Sequence, residues 1–134
     1  MDAATATLAF VEARHGELGL RAHAEEQLST RLTSIDDLSM THVRMAQIER
    51  GLRVSGGEVN AHYDRAGRLS SIQQRIVPNL EKLDLTPTID AQQAAELARA
   101  TKPKHALKGE PELIVRGTKE PVLAWQLTVA WGLT

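Results

Sequence analysis

Apolar and polar residues alternate with a period of two along much of the first half of the chain, the pattern of strands with one buried face. Leu28, Thr30 and Leu32 fall on one face of the first such run, which ends at Asp36 and Asp37. In a later run Val59, Ala61 and Tyr63 share a face in the same way. The pattern predicts four strands, at about 26–35, 40–49, 52–63 and 69–76.

Turn signals join these strands into an antiparallel meander. Arg50-Gly51 separates the second strand from the third, and Asp64–Gly67 separates the third from the fourth. Asp64 can accept a backbone hydrogen bond from the residues ahead of it, and Gly67 accepts a positive φ, as in a hairpin with a bulge. The apolar positions change parity between Leu69 and Ile72, which predicts a β-bulge in the fourth strand.

The helical period appears twice. Residues 4–15 carry an apolar stripe that includes Leu8, Phe10 and Val11, and Gly16 is a natural stop. A second helix begins at Asp90, where Gln93 completes a capping-box pattern, and ends at Lys102-Pro103. The apolar face of this second helix consists of Ala91, Ala94, Ala95, Leu97 and Ala98.

Proline ends the meander at Val77-Pro78, because it cannot donate to a ladder. The stretch up to Pro87 reads as a connection, and two further strands are predicted at 112–116 and 122–130. We therefore predict an α+β fold with two small lobes, each a helix packed on an antiparallel sheet. The lobes are predicted to span residues 1–79 and 80–134.

Composition narrows the classes of function. The 134 residues carry a formal net charge of −1 with no basic stripe, which argues against nucleic-acid binding. Cysteine is absent, so disulfide bonds and thiolate chemistry are excluded. No apolar run is long enough to span a bilayer, and no signal peptide is visible at the start of the sequence. The aromatic residues are few: Phe10, Tyr63, Trp125 and Trp131.

No catalytic or metal-binding spacing is found. A zinc peptidase places two histidines four residues apart on a helix with a glutamate beside the first. His23–Gln27 comes nearest, but its fifth residue is glutamine. The other histidines, His15, His42, His62 and His105, are too scattered. We predict no metal and no cofactor.

The remaining polar candidates have structural explanations. Ser55 is followed by Gly56-Gly57 but lacks the flanking glycine of a nucleophile elbow. The two glycines, lying within a strand, indicate a bulge or a close backbone approach. Glu110 and Glu112 read as exposed charges at the entry to a strand, and the Gln73-Gln74 pair as solvated strand positions. We therefore predict no catalytic residue in this chain.

Trp125 and Trp131 lie on one face of the last predicted strand, together with Leu123, Leu127 and Val129. One interpretation is that the two indoles close the core of the second lobe. The other is a contact face for a partner, since half of the aromatic residues gather in this strand. The sequence leaves both open.

The run from Thr41 to Val59 resembles the fungalysin/thermolysin propeptide family. Members show a His-Val-Arg opening, a glutamine three residues after the arginine, a glycine, and a segment ending in two small residues. The positions that carry this resemblance are His42, Val43, Arg44, Gln47, Gly51, Val54, Gly56, Gly57 and the following Glu58. Residues 90–130 are similar to the PepSY module that often follows. Met45 and Ser55 replace aromatic residues usual in the family, and Arg53 stands where many members have proline.

The resemblance implies a pro-region of a secreted thermolysin-like zinc metallopeptidase. Such a pro-region is expected to assist folding of the catalytic domain in cis, to inhibit it, and to be cleaved off. The family positions are then structural or contact the partner, and any cleavage junction lies beyond Thr134. The alternative is a stand-alone binding module that regulates a protease, or another envelope protein, in trans.

Overall fold

The computed structural model describes residues 2–131, except for the side chain of Trp131. Helix α1 spans Ala3–Ala13 and is followed by a single 3-10 turn, Ala24–Glu26. The chain then forms four strands, a second helix and two further strands. Their bounds are β1 Leu28–Ile35, β2 Thr41–Glu49, β3 Leu52–Tyr63, β4 Leu69–Arg75, α2 Ala91–Thr101, β5 His105–Arg116 and β6 Val122–Trp131.

The strands form one mixed sheet in the order β1-β2-β3-β5-β6, with β4 also paired to β3. All neighbours are antiparallel except β3 and β5, which pair in parallel at Val54 with Val115 and at Ser55 with Arg116. The long strand β3 is therefore shared, because its first residues pair with β5 and its later residues pair with β4. The predicted α+β class is confirmed. The division into lobes at residues 79 and 80 stays a prediction.

The turn between β2 and β3 is confirmed at Arg50-Gly51. Both residues have positive φ, 47° and 87°. Two central residues with positive φ form the two-residue hairpin turn whose twist matches that of the flanking strands.

Two bulges set which side chains face the core. In β4, His62 pairs with Ser71 and Tyr63 pairs with Leu69, which leaves Ser70 extra and confirms the predicted bulge. In β1, Thr30 pairs with Met45 but Leu32 pairs with Arg44. The prediction that Leu32 shares the face of Leu28 is therefore wrong, since the bulge turns Leu32 to the outer face, where it is 53% exposed.

Helix α1 covers one face of the β1–β4 sheet. Asp2 caps its start by accepting a hydrogen bond from Thr5 N–H, 2.7 Å. Within this core the Thr7 hydroxyl donates to the Ala3 carbonyl and meets the Tyr63 hydroxyl at 2.8 Å. The buried hydrophobic residues are Val11, Leu20, Ala24, Leu28, Val43, Met45, Val59, Ala61 and Tyr63. Aliphatic side chains thus dominate this core.

A second, smaller core of Val54, Leu80 and Val115 lies where β3 meets β5.

The predicted capping box of α2 is present, since Asp90 accepts from Gln93 N–H and the Gln93 side chain accepts from Asp90 N–H. Helix α2 packs against β5 and β6 through Ala94 and Ala95, while Leu97 from its predicted apolar face is largely exposed.

Strand β5 begins at His105, seven residues before the predicted Glu112. Its ladder with β6 is interrupted between Lys108 and Glu112, so the proline at position 111 falls within an irregularity and removes no regular ladder bond.

No helix within residues 2–131 is long and apolar enough to cross a membrane.

The contact between the Thr7 and Tyr63 hydroxyls is expected to contribute to stability. Tyr63→Phe should lower the free energy of unfolding by about 1 kcal/mol, because a buried hydroxyl loses its partner. Urea denaturation of Tyr63→Phe, Thr7→Val and the double variant measures this contribution. The double variant should lose less than the sum of the two single losses, and strict additivity would contradict a direct bond.

Candidate functional site

The inner face of β2 changes from apolar to polar towards the end of the strand. Val43 and Met45 are buried in the large core, and Gln47 and Glu49 continue the same face with exposures of only 2% and 1%. Buried polar side chains require hydrogen-bond partners. Both find them in segments distant in sequence, and we call this region, with Gly57 and Val77, the strand junction.

Gln47 bonds to the backbone of the chain that leaves β4. Its Nε2 donates to the Val77 carbonyl and its Oε1 accepts from Val77 N–H, each at 2.8 Å. The side-chain amide thus makes the two bonds that a neighbouring strand would make. Through them the exit of β4 is held against the middle of the sheet.

Gly57 makes room for this amide. A Cβ at Gly57 would lie 2.7 Å from the Cβ of Gln47, closer than real side-chain atoms approach. Its neighbour Gly56 has a φ of 85°, and the Ser55 carbonyl accepts a hydrogen bond from Gly117 N–H at 3.0 Å. The predicted bulge or close approach at Gly56-Gly57 is confirmed, because the β2–β3 register shifts here.

Glu49 accepts hydrogen bonds from two arginines. Arg21 Nη2 lies 2.8 and 2.9 Å from the two carboxylate oxygens, and Arg50 Nε lies 2.9 Å from Oε2. Arg50 Nη2 also donates to the carbonyls of Leu80 and Leu83, at 2.8 and 2.7 Å. One carboxylate therefore ties the segment after α1, the β2–β3 turn and residues 80–83 together.

Another buried amide supports the arginine of this network. Gln27 accepts from Arg21 N–H at 2.9 Å and donates to the Arg21 carbonyl at 2.7 Å. Sequence patterns predict no role for Arg21 or Glu49, and Gln27 enters only as the residue that breaks a zinc-binding pattern. Glu49 could have been recognised as an inward-facing position, because it continues the alternation of core-facing residues that begins at Val43.

The other family positions divide between structure and surface. Gly51 supplies the positive φ of the β2–β3 turn, and Val54 is buried in the smaller core. Glu58 is half-buried on β3, opposite Ala46 and Arg75. Their assignment as structural or partner-contact positions stays a prediction.

His42 and Arg44 lie on the opposite face of β2 from the helix. His42 Nδ1 is 2.7 Å from Nδ1 of His62 across the strand pair, and its Nε2 donates to Asp36 Oδ2, also at 2.7 Å. The bond from His42, followed by that from Met40 N–H, lowers the pKa of the Asp36 carboxyl below its ordinary value. Arg44 is exposed.

We call this outer side of β1–β4 the uncovered face, since no described helix packs on it. Its strands carry His42, Arg44, Asn60 and His62 towards solvent, next to the exposed Leu32. Leu38 in the β1–β2 hairpin is 72% exposed, as is Ile35, which pairs with Thr41 and therefore lies on the face of Val43. An exposed leucine side chain beside a row of polar ones is typical of a contact surface.

Trp125 lines a groove of about 980 Å³ between α2, the segment 84–89 and β5–β6. Its indole N–H donates to the Ile89 carbonyl at 2.9 Å, so part of the ring serves an internal contact. The side chain of Trp131 lies outside the described part of the structure. A partner face at Trp125 and Trp131 stays a prediction.

The candidates for catalysis do not come together. Glu112 pairs with Arg53, 3.2 Å, on the sheet surface. Gln73 Oε1 accepts a hydrogen bond from His62 Nε2 at 3.0 Å, and Gln74 Oε1 accepts from Ile76 N–H at 2.9 Å. Within residues 2–131, no group of three or more histidine, aspartate or glutamate side chains is arranged to hold a metal ion.

The approach of Gly57 to Gln47 gives a direct test of the strand junction. Gly57→Ala should lower the free energy of unfolding by about 2 kcal/mol, because the new methyl group displaces the Gln47 amide. Gly16→Ala is the matched control, since a Cβ there meets nothing within 4 Å. Guanidinium denaturation of both variants makes the comparison, and equal stabilities would contradict the close approach.

The buried carboxylate gives a second test. Glu49→Ala should cost about 2 kcal/mol of unfolding free energy, since two guanidinium groups lose their acceptor although both remain partly hydrated. Arg68→Ala removes an exposed turn ion pair and should cost less than about 1 kcal/mol. A smaller loss at Glu49 than at Arg68 would refute a stabilising role for the network.

Parts of this chain are similar to known proteins. Residues 26–76, which contain all of β1–β4, match the family model described as the Fungalysin/Thermolysin Propeptide Motif. The chain is also 30% identical over 131 residues to thermolysin of Alicyclobacillus acidocaldarius subsp. acidocaldarius and to thermolysin of Bacillus caldolyticus. These alignments cover 90% of this chain and 24% of each relative, so the chain spans about a quarter of their length. The β1–β4 sheet is therefore similar to a propeptide motif, the non-catalytic part of a protease precursor.

Proposed function

We propose that this chain is the pro-region of a secreted thermolysin-like zinc metallopeptidase, and that it assists folding of the catalytic domain in cis and inhibits it. The observation that carries the proposal is the match of the whole β1–β4 sheet to the propeptide motif. The similarity to thermolysin covers 90% of this chain, so the likeness extends beyond the β1–β4 sheet. We further propose that residues 80–134 form a second, PepSY-like lobe.

A pro-region can assist folding by mass action. A surface that binds the native or near-native catalytic domain lowers its free energy relative to the unfolded chain, which binds nothing. Such a surface must be stiff, because any ordering on contact subtracts from the binding free energy. The strand junction supplies this stiffness, since Gln47 and Glu49 fix four separate segments through buried hydrogen bonds.

The uncovered face is the proposed contact with the catalytic domain. Leu32 offers apolar area, and Arg44, its direct pairing partner on β2, offers a guanidinium group at the same surface. The core does not require His42 or Arg44, although both belong to the positions that carry the propeptide resemblance. Inhibition would need, in addition, an extended segment that enters the substrate cleft as an added strand.

The reading frame beyond Thr134 is the first test. The proposal expects a catalytic domain with a His-Glu-x-x-His motif there. This domain, unfolded in denaturant and diluted with the chain in trans, should recover more peptidase activity than without it. The mature enzyme should be slowed by micromolar chain. A stop codon directly after Thr134 would instead favour the free-standing module, and no effect in either assay would contradict the proposal.

Surface variants locate the contact. Leu32→Ser combined with Arg44→Ala should weaken the slowing of the mature enzyme by about tenfold, because each side chain loses buried contact area. Leu97→Ser on α2 is the matched control, being about as exposed as Leu32. Inhibition constants measured with a peptide substrate distinguish them. Equal effects of both variants would place the contact elsewhere.

A further inference from the structure

His42 and His62 face each other across β2 and β3 at directly paired positions. Their Nδ1 atoms are 2.7 Å apart and the ring planes are inclined at 68°. The outer nitrogen of each ring meets an oxygen, His42 Nε2 at Asp36 Oδ2 (2.7 Å) and His62 Nε2 at Gln73 Oε1 (3.0 Å). The rings line a recess of about 380 Å³ on the uncovered face.

The hydrogen-bond partners of the two rings indicate which ring nitrogens carry a proton. A carboxylate oxygen and an amide oxygen only accept hydrogen bonds, so both Nε2 atoms are placed as donors. A neutral imidazole has one N–H, which is then already used. When both rings are neutral, their Nδ1 atoms therefore present lone pairs to each other at 2.7 Å. Two facing lone pairs repel unless a cation lies between or beside them.

We propose that His42 and His62 form a binding site for a divalent transition-metal ion of the kind that prefers imidazole and tetragonal geometry, Cu²⁺ or Ni²⁺. Such an ion, about 2.0 Å from each of two adjacent nitrogens, holds those nitrogens roughly 2.8 Å apart. The observed separation of 2.7 Å fits this spacing. Rotation of each ring would direct both lone pairs at one ion in the recess, with water in the remaining positions.

The surroundings of the two rings are those of ligating histidines. A histidine that binds metal through one nitrogen commonly donates its other N–H to a carboxylate or an amide oxygen, which fixes the tautomer and the orientation. Asp36 and Gln73 do this here from the β1–β2 hairpin and from β4. The histidine spacing in the sequence gave no sign of the site, because the ligands come from two strands twenty residues apart.

The charges around the recess set the expected strength of binding. Asp36 adds a negative charge beside His42, and Arg44 lines the same recess with a positive one. The side chains contributed by the other strands, Ser34, Asn60 and Gln73, are neutral. With only two protein ligands and opposed charges, binding should be weaker than at a site with three or four protein ligands.

Calorimetric titration of the full chain with Cu²⁺, and separately with Ni²⁺, tests the proposal. One ion per chain should bind at neutral pH with a saturable isotherm. His62→Gln should weaken binding by about tenfold or more. His23→Asn is the control, because it removes an exposed imidazole at a position with a φ of 68°, which asparagine tolerates. It should leave the affinity unchanged.

A second measurement locates the ion even if a variant folds poorly. Paramagnetic Ni²⁺ added to the unaltered chain should broaden the amide NMR signals of β2, β3 and β4 nearest His42 and His62. Broadening centred elsewhere, no saturable binding up to millimolar metal, or equal losses in the His62 and His23 variants would overturn the site. The two rings would then share a proton only.

Discussion

The side-chain amide of Gln47 makes the hydrogen bonds that a neighbouring strand would make. The position of the chain that leaves β4 depends on these bonds. Its amide donates to and accepts from the backbone of Val77, which follows β4. The amide fits only because position 57 has no side chain. The chain beyond the sheet is thereby held at the centre of β3, where the second half of the molecule attaches.

Glu49 extends the same constraint. Its carboxylate is almost fully buried and is shared by Arg21 and Arg50, and Arg50 continues to the carbonyls of residues 80 and 83. Leu80 itself enters the small core with Val54 and Val115. Polar contacts thus hold residues 80–83 in place. The small aliphatic core alone would fix this segment less firmly. Among the described residues, no helix packs on the outer face of the sheet.

The sequence predicted the elements better than their registers. The alternation and the turn residues indicated the meander, the bulge at Ser70 and the Arg50-Gly51 turn, because each depends on local backbone chemistry. The bulge in β1 that turns Leu32 outward leaves no local sign, since threonine and arginine fit either face of an edge strand. The start of β5 at His105 depends on pairing with β6, which period alone does not show.

The residues that come together in the strand junction were also harder to predict than the elements that carry them. Gly56 and Gly57 signalled a close approach, but the partner that approaches, Gln47, is separated from them by a hairpin whose register is irregular. Glu49 could have been found from the inward alternation of β2, whereas its partner Arg21 lies in an irregular loop. Pairing across strands, not spacing along the chain, likewise brings His42 to His62. Tertiary contacts therefore determine which predicted residues act together.

We propose that the uncovered face docks on a catalytic domain while the strand junction keeps that face rigid. Hydrogen–deuterium exchange of the chain, free and bound to a thermolysin-like catalytic domain, measures both effects. We expect slower exchange on binding for the amides of β1 and the β1–β2 hairpin, with Val77 protected in both states. Unchanged exchange along β1, or protection confined to α2 and β6, would contradict it.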